Sequence, residues 1–496
     1  MLKELDVPVL AENVYRLLED VGILVESDRL KDLALKKGCT SGPDGRVRVP
    51  KRLIAEMVAF QKTSQAEDDR DQELYLICGV DWTHHIVWNK KQDAIRGRLR
   101  KEFLMPIFDV GGNTTYYDYP EHRIKPIDTP TFDTSMKFAE ATDEIGFINT
   151  WTRQDVPSQI ERLDSLNRGM RLTTKLDGLD PIHPENIKYL KEASEIITGR
   201  PGDTSCLAGG ACLTPPLILG KRTAEDILER ARLGVNRYHV CSMLTIGISA
   251  PATAAGSIVM SAAEILGAMA ICWCADPGSD FSGRMIAMAT DMRTTEINFY
   301  APEVVQINLG VKQLFDVEWG GHCWAEVMYG PYARKPGLQA VVENLLATYN
   351  YAQWVSKPEI PYPGVGQLNN GATGSLTQVM LDMEIRKSQW WNRDVKVNEE
   401  TIAFDEICQH IKDRSPFLAG EHTMAHFREL WTPPKLFLED TVSGDAWAGT
   451  EKVLLDKCDE MWRANVAKWE PPEWPEDTLK EMDKLVARAK KEHGIN

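Results

Sequence analysis

The feature that most constrains the fold is a repeated alternation of strand-like and helix-like stretches that begins near residue 131. Short runs of β-forming residues are followed by stretches with helical spacing of apolar residues, in units of about 25 to 45 residues. The predicted strands are GFINTW, MRLTTKL, TSCLAGG, YHVCSML, DFSGRM and FDVEW. The predicted helices are PENIKYLKEASEIITG, RTAEDILERARLG, TAAGSIVMSAAEILGAMAICW and APEVVQINLGVKQL. Repeated units of this kind predict a parallel sheet with its helices outside.

Two architectures share this alternation, a closed eight-stranded barrel and an open doubly wound sheet. No G-x-G-x-x-G opens any of the predicted helices, which removes the main signal of a doubly wound dinucleotide-binding sheet. We therefore expect an α/β TIM (β/α)8 barrel over residues 131–400, with Thr134 capping its first helix.

The regions on either side of the predicted barrel have a different pattern. Residues 1–130 predict an N-terminal lobe with helices, a short RVRVP strand and a small β layer from DWTHHIVWN to NTTYYDY. Residues 401–496 predict a helical C-terminal extension that packs on the barrel, with Pro pairs at its linkers.

Charge and composition argue against several partner classes. The 496 residues carry a formal charge of -16, whereas nucleic acids are bound by clustered Lys and Arg. Residues 238–263 contain no Lys, Arg, Asp or Glu, but Gly247 and Pro251 divide them into a buried strand and a helix, so no membrane span is expected. The ten cysteines are scattered and the N-terminus lacks a signal-peptide pattern, so a cytoplasmic location is expected.

A zinc site is one alternative for the chemistry. His239, Cys241, Cys272, Cys274 and Cys323 are the nitrogen and sulfur ligands that such a site would use. Residues 272 and 274 lie two apart on a predicted helix, where side chains do not face each other, so buried free thiols are the simpler interpretation. No nucleophile elbow, phosphate loop or H-E-x-x-H is present, which leaves hydrolase and kinase functions without support.

The stretch VEWGGHCWAEVMYGPYARKPGLQ, which begins at Val317, is rich in aromatic residues and follows a predicted strand. Loops after strands carry the active site in α/β barrels. Aromatic faces can bind a quaternary ammonium by cation–π contact, and packing against the barrel rim is the alternative. The candidate box residues are Trp319, Trp324, Tyr329 and Tyr332, with Tyr349, Tyr351, Trp354 and Tyr362 as further members.

Polar residues near this stretch are suited to hold the other end of a zwitterion. Arg334 and Lys335 lie beside the aromatics, and the loop GQLNNGATGS adds Gln367 and Asn369, although Asn-Asn-Gly runs also form simple turns. His322 lies between two tryptophans, and its position fits carboxylate binding and a structural role equally well.

Four motifs in order resemble a known family over nearly the whole chain. They are LLEDVGILVE followed by GRVRVP, then APATAAGSIVMSAAEILG, DMRTTEINFYAPE and FLAGEHTMAHFRELWTP. Together they are similar to the trimethylamine methyltransferase (MttB-like) superfamily. The resemblance implies a TIM barrel that transfers a methyl group from a methylated amine to the cobalt of a corrinoid on a separate protein.

The founding members of that superfamily carry pyrrolysine in a segment that reads approximately S-D-A-K-x-x-D-x-Q-A-G-x-E. The similar segment here is PYARKPGLQAVVE, in which Ala333, Gln339, Ala340 and Glu343 match and Val342 stands at the special position. A valine cannot act as an electrophile toward an amine. The chain therefore resembles the branch without pyrrolysine, whose members demethylate quaternary amines such as glycine betaine.

The resemblance thus implies methyl transfer from a betaine-like quaternary amine to Co(I) of a cobalamin carried by a cognate corrinoid protein, without a metal of the chain's own. A homo-oligomer is expected. His422 and His426, four residues apart on a predicted helix, are expected to pack or to contact the corrinoid partner. The expected substrate-binding residues are Trp319, His322, Trp324, Tyr329, Tyr332, Arg334, Gln339, Glu343, Tyr351, Gln367 and Asn369.

Two alternatives remain open. One is a zinc-dependent methyltransferase that moves a methyl group from a corrinoid to a thiol. The other is a binding protein for quaternary ammonium compounds that catalyses no reaction.

Overall fold

Helices and strands alternate along the chain in a mixed α/β fold. The computed structural model describes residues 2–4, 6–66, 113–145, 148, 150–176, 178–207, 210–320, 323–325, 330–354, 364–389, 395–427 and 450–495. Within these residues the helices are α1 Asp6–Asp20, α2 Asp28–Lys36, α3 Lys51–Ala66, α4 Thr129–Ala141, α5 Glu161–Gly169, α6 Ile187–Thr198, α7 Lys221–Leu233, α8 Ala254–Ala275, α9 Pro302–Leu314, α10 Leu338–Trp354, α11 Leu376–Gln389, α12 Glu399–Ile402, α13 Phe404–Asp413, α14 Glu421–His426, α15 Thr450–Val466 and α16 Glu476–Glu492. The strands are β1 Leu24–Val25, β2 Thr40–Ser41, β3 Val47–Arg48, β4 Thr115–Asp118, β5 Arg123–Pro126, β6 Gly210–Cys212, β7 Ile218–Leu219, β8 Arg237–Ser242, β9 Asp280–Met285, β10 Ala289–Thr290, β11 Ile297–Asn298, β12 Cys323–Ala325, β13 Gln367–Leu368 and β14 Thr373–Gly374.

A parallel sheet lies at the centre of the fold, with the strand order β12-β9-β8-β6. Parallel bridges between Leu179 and Leu207 and between Ile148 and Leu176 continue the pairing toward the N-terminus. Neighbouring segments are thus joined in the order in which they occur along the chain. Among the described residues these contacts do not complete a ring.

The predicted strands YHVCSML and DFSGRM are confirmed as β8 and β9, and all four predicted helices are confirmed as α6 to α9. The strand predicted over FDVEW is wrong. Phe315–Trp319 forms a π-helical turn that continues α9, because Phe315 and Trp319 are four residues apart and both bury on the core side.

The predicted capping role of Thr134 is also wrong. Thr134 lies inside α4, whose N-cap is Asp128: the Asp128 carboxylate accepts a hydrogen bond from the Thr131 backbone N–H. Because α4 begins earlier than the apolar pattern suggested, Thr134 instead bonds the carbonyl of Pro130, one turn back.

Helix α8 is the core helix of the molecule. It is long and apolar enough to cross a membrane, but 78% of its most apolar window is buried inside the structure. One side packs on the sheet and another on α1, where a Cβ at Gly267 would come within 2.6 Å of Leu18 and Ile23. The charge-free stretch is therefore explained by burial between the sheet and the N-terminal helices.

The N-terminal and C-terminal helices pack in two separate hydrophobic cores. Helices α1 to α3 share a hydrophobic core with α8 and the sheet, and β1 pairs in parallel with β7. Helices α15 and α16 share a second core with α4, α5, α6 and α11. Residues 6–66 of the N-terminal region are thus continuous with the main core, whereas the predicted strand DWTHHIVWN lies outside the described residues.

One buried carboxyl group joins α8 to the sheet. Glu264 is fully buried; its side chain accepts hydrogen bonds from the Leu217 backbone N–H at 2.8 Å and from the Ser242 hydroxyl at 2.6 Å. Leu217 precedes β7 and Ser242 ends β8. Burial raises the pKa of the Glu264 carboxyl above its usual value of 4.5.

We predict that Glu264→Gln changes the pH dependence of stability. Because the folded state raises the pKa of Glu264, the contribution of this residue to stability is fully present below pH 4.5 and is lost as the pH rises through the folded pKa. Gln does not ionise and lacks this loss, so the urea midpoint of Glu264→Gln should rise relative to that of the wild type as the pH is raised above 4.5. Glu473→Gln, on an exposed residue, should follow the wild-type profile. Parallel profiles for all three proteins would contradict the prediction.

Candidate functional site

The two faces of β8 and β9 have different roles. Tyr238 and Val240 on β8, and Phe281 and Met285 on β9, belong to the core shared with α8. Because side chains alternate along a strand, the intervening residues lie on the opposite face of the sheet. This opposite face is half-buried at Arg284 and its neighbours, and we call it the inner face.

Residues of the inner face form rows across the sheet. Arg237 pairs with Asp280 at the amino ends of β8 and β9, and His239 pairs with Ser282, with 2.8 Å between the histidine Nδ1 and the serine Oγ. The row nearest the carboxyl ends runs through Cys212, Cys241, Arg284 and the backbone position of Trp324. This last row places the guanidinium of Arg284 near the carboxyl ends of the strands. In α/β barrels the active site lies at this edge.

A hydrogen bond and a positive charge within this row lower the pKa of Cys212. The hydrogen bond with the Cys241 thiol holds the pKa of Cys212 below its usual value, and the positive charge of Arg284 acts in the same direction. Arg284 therefore lies close enough to the other members of the row to influence their ionisation.

An apolar and aromatic wall stands beyond the carboxyl ends of β8 and β9. Its residues come from the ends of the two strands, from the β11 region and from α10. They are Cys241, Met243, Ile286, Met288, Ile297, Phe299, Tyr300, Ala347 and Tyr351. Methionine and aromatic side chains give a polarizable surface that suits an organic cation. Of the predicted aromatic residues, Tyr351 lies in this wall.

Helix α10 covers the wall with a side that carries several polar residues. Its buried side includes the polar residues Glu343, Asn344 and Thr348, whereas its exposed side carries apolar residues. The Glu343 carboxylate accepts hydrogen bonds from the Ala333 backbone N–H at 3.0 Å and from the Gln339 amide at 2.9 Å. Burial, followed by the Glu343 charge, raises the pKa of Tyr300 in the wall. Gln339 and Glu343 thus tie the 330–337 loop to α10, next to the wall.

The loop after α10 is tied to the same region. The Asn369 backbone N–H donates to the Ala333 carbonyl at 2.7 Å, and the Asn370 amide donates to the Ile297 carbonyl at 3.1 Å. Both asparagines have positive φ, near +55°, which Asn tolerates better than most residues. Gln367 is fully buried beneath Gly330. The structure thus places Gln367 and Asn369 in loop-organising positions near the wall.

Tyr332 and Arg334 lie at the outer edge of this region. The Tyr332 hydroxyl donates a hydrogen bond to the Glu296 carboxylate, and this bond raises the pKa of Tyr332. Arg334 makes an ion pair with the same carboxylate at 3.2 Å, and its side chain is largely exposed. These contacts join the 330–337 loop to the β10–β11 hairpin.

The other predicted aromatic residues do not gather into one box. Trp319 lies in the core: its indole N–H donates to the Tyr15 hydroxyl at 2.8 Å, and its ring contacts Phe315 edge-on, so we leave it out of the pocket. Trp354 packs beside Val305 and Leu309. His322, Tyr329 and Tyr362 lie outside the described residues, and Trp324 is described by its backbone alone.

Comparison with known proteins identifies the family to which this chain belongs. A family model described as trimethylamine methyltransferase (MTTB) matches residues 103–494. The chain belongs to the MTTB family. The predicted family resemblance is thereby confirmed at this level.

The MTTB relatives include enzymes named for tertiary and for quaternary amines. The trimethylamine methyltransferase MttB of Desulfitobacterium hafniense (strain DSM 10664 / DCB-2) is 25% identical over 318 residues, covering 62% of this chain and 61% of that protein. The glycine betaine methyltransferase of D. hafniense strain Y51 is 22% identical, covering 56% of this chain and 57% of that protein. The proline betaine:corrinoid methyltransferase of Eubacterium limosum is 27% identical, with coverages of 52% and 51%. The chain thus matches about three-fifths or less of the length of these relatives.

The zinc ligands considered from the sequence lie on both sides of the sheet. His239 and Cys241 are on the inner face, whereas Cys272, Cys274 and Cys323 are in the core on the helix side. Within the part of the chain that the structure describes, no three His, Cys, Asp or Glu side chains come together as metal ligands.

Sequence reasoning did not single out Arg284 or two buried asparagines. The position of Arg284 could have been predicted, because the alternation in DFSGRM places it on the same face of the strand as Ser282. Asn113 and Asn344 gave no such signal. Their amides are fully buried and have no hydrogen-bond partner among the described residues.

A cavity of about 480 Å³ lies at the other end of the strands. It is lined by residues at the amino ends of β8 and β9, including Arg237, His239 and Asp280. Two of its arginines are already in ion pairs, Arg230 with Asp226 and Arg200 with Asp203. Because ligands of parallel α/β sheets bind outside the carboxyl ends of the strands, the carboxyl end is the better candidate for the site.

Proposed function

We propose that this MTTB-family chain is a corrinoid-dependent methyltransferase of the branch without pyrrolysine. It would move a methyl group from a betaine-like quaternary amine to Co(I) of a cobalamin held by a separate corrinoid protein. The observation that carries the proposal is the row at the carboxyl ends of the sheet, where Arg284 faces the same side as the apolar wall.

The proposal includes a closed TIM barrel. Support comes from parallel contacts that follow chain order from Ile148 to Ala325. On the other side, β14 pairs in parallel with β4, and the Thr152 N–H donates to the Asn113 carbonyl at 2.9 Å. These two contacts would connect the last barrel strand to the first two, as closure requires.

The donor chemistry explains why pyrrolysine would be unnecessary. In a quaternary amine the nitrogen is already cationic, so the electrons of the breaking C–N bond return to nitrogen and a neutral tertiary amine leaves. The methyl carbon forms its new bond with the electron pair of Co(I). No proton has to be delivered, and Val342 at the pyrrolysine position is compatible with this reaction.

The pocket would assist by removing the ammonium from water. Charge separation falls as a cationic donor reacts with electron-rich cobalt, so an apolar wall favours the transition state over the hydrated donor. Tyr300, Tyr351 and Phe299 supply π surfaces for the ammonium. The guanidinium of Arg284 presents paired N–H donors that match a carboxylate, which favours a zwitterionic donor over a simple cation.

We predict methyl transfer to reduced free cob(I)alamin from glycine betaine, proline betaine or carnitine. The measurement is the absorbance change that accompanies methylation, with choline and trimethylamine as comparison donors. A protein that binds betaine but never methylates cobalamin would instead be a binding protein. Stoichiometric zinc in the purified protein, with methyl transfer to a thiol, would support the zinc-dependent alternative.

Arg284→Gln should separate donors with a carboxylate from donors without one. Loss of a charge-assisted hydrogen-bond pair, about 1.5 to 3 kcal/mol, predicts a fall in kcat/KM of roughly 10-fold to 100-fold for the best betaine. Transfer from choline, measured at high protein concentration, should change less than about 3-fold. Arg284→Lys should recover part of the betaine activity because it keeps the charge. Equal losses for both donor types would assign Arg284 a structural role.

The exposed side of α10 is a suitable contact for the corrinoid protein. Its exposed apolar residues are Leu338, Val342, Leu345, Leu346 and Tyr349. The opposite side of the same helix covers the wall. A partner that must bring cobalt to the donor has to bind near the carboxyl ends of the strands, and α10 offers an apolar surface there.

We predict that Leu346→Glu weakens methyl transfer to the corrinoid protein and spares transfer to free cob(I)alamin. A charge in an apolar contact should raise KM for the corrinoid protein roughly 10-fold or more. The control Gln306→Glu, which adds the same charge on an exposed residue of α9, should leave both reactions unchanged. Equal loss in both reactions would show that the substitution damages the pocket.

A further inference from the structure

We propose that Cys212 and Cys241 form an oxidative modification site, at which a hydroperoxide converts the two thiols into a disulfide and thereby weakens binding of the methyl donor. Strands β6 and β8 pair in parallel with Cys212 directly opposite Cys241. Their neighbours Ala211 and Val240 belong to the core on the α8 side, so alternation along the strands places both cysteines on the inner face. The effect on the donor rests on the proposed function, whereas the chemistry of the two thiols does not.

The spacing of β6 and β8 permits a disulfide between these residues. Neighbouring strands of a sheet lie about 4.7 to 4.9 Å apart, and disulfides join residues whose Cα atoms are about 4.4 to 6.8 Å apart. Both side chains stand on one face of the sheet, so they do not point away from each other. The two thiols already share a hydrogen bond. The bond can therefore form without a change in strand register.

The two cysteines differ in exposure, as a stepwise oxidation requires. Cys212 is exposed, whereas Cys241 is buried in the wall. The hydrogen bond from Cys241 and the positive charge of Arg284 hold the pKa of Cys212 below its usual value, which increases the fraction of the nucleophilic thiolate. Cys212 is therefore the thiol that a hydroperoxide oxidises first, and Cys241 is the thiol that closes the disulfide.

The reaction is balanced without a further reagent. The Cys212 thiolate attacks an oxygen of the hydroperoxide, the O–O bond breaks, and the departing oxygen takes a proton and leaves as an alcohol or water. The sulfur of Cys241 then displaces the hydroxyl group of the sulfenic acid, which leaves as water with the Cys241 proton. Two thiols lose two electrons and the hydroperoxide gains them. A thiol reductant reverses the modification by exchange.

A disulfide at this position changes the surface that the donor would meet. Its sulfur atoms are about 2.05 Å apart, closer than two hydrogen-bonded thiols, so the Cys241 side chain has to turn toward β6. Cys241 belongs to the wall and pairs in register with Arg284. Co(I) is a strong reductant that persists only under reducing conditions. Oxidation of this pair therefore weakens donor binding under the conditions in which the methyl acceptor is itself lost.

A second pair of neighbouring thiols provides an internal comparison. Cys39 and Cys274 also share a hydrogen bond, but both are buried in the core that contains α8. A hydroperoxide in solution does not reach buried thiols while the protein is folded. We therefore expect exposure, and not contact between thiols alone, to decide which pair reacts.

The first test locates the disulfide in the full chain. Reduced wild-type protein is freed of reductant, treated with hydrogen peroxide, alkylated and mapped by mass spectrometry with fragmentation. A link between Cys212 and Cys241, with a loss of about 2 Da that dithiothreitol reverses, is expected. The link should be absent from Cys212→Ser and should form at the wild-type rate in the control Cys408→Ser, on α13. Absence of this link from the wild type would overturn the proposal, whichever other thiols react.

The second test measures binding of glycine betaine by calorimetry before and after oxidation. The dissociation constant of the wild type and of Cys408→Ser should rise at least about 10-fold on oxidation and return on reduction. Peroxide should leave the affinity of Cys212→Ser unchanged. A link that forms without a change in wild-type affinity would overturn the control of donor binding. A reduced wild type that forms the link but binds no betaine would contradict the proposed function, while the mapped link would still support the modification site.

Discussion

The parallel register of β8 and β9, backed by α8, is the constraint on which the rest of the structure depends. Tyr238 and Phe281 pair in register and pack toward α8, so the next residues along each strand have to face the other way. A slip of one residue in either strand would exchange the two faces and bury Arg284 against an apolar helix. Glu264 fixes this relation, because it bonds the end of β8 from inside α8. The position of the candidate pocket therefore follows from helix-to-sheet contacts outside it.

Periodicity predicted the elements of the fold better than it predicted the site. The helices α6 to α9 and the strands β8 and β9 were readable because their apolar residues recur at helical or strand spacing over a full element. FDVEW was misread because a five-residue run is short enough to fit either period, and Phe315 and Trp319 satisfy a helical spacing of four.

The site was harder to predict because aromatic content does not reveal which face a side chain takes. Trp319 and Tyr351 looked equivalent in the sequence, yet Trp319 is buried against Tyr15 whereas Tyr351 reaches the wall. Glu343 and Asn369 were selected as substrate contacts from polarity and family position. Their bonds to the 330–337 loop depend on how α10 and two loops meet, which no local pattern encodes.

The burial of residues in α10 does not follow their polarity, and this departure bears on function. In α10 apolar side chains are exposed and the polar residues Glu343, Asn344 and Thr348 are buried, the reverse of an ordinary surface helix. Glu343 and Asn344 on α10 face a wall at the strand ends, which suits a partner that comes and goes with each methyl group.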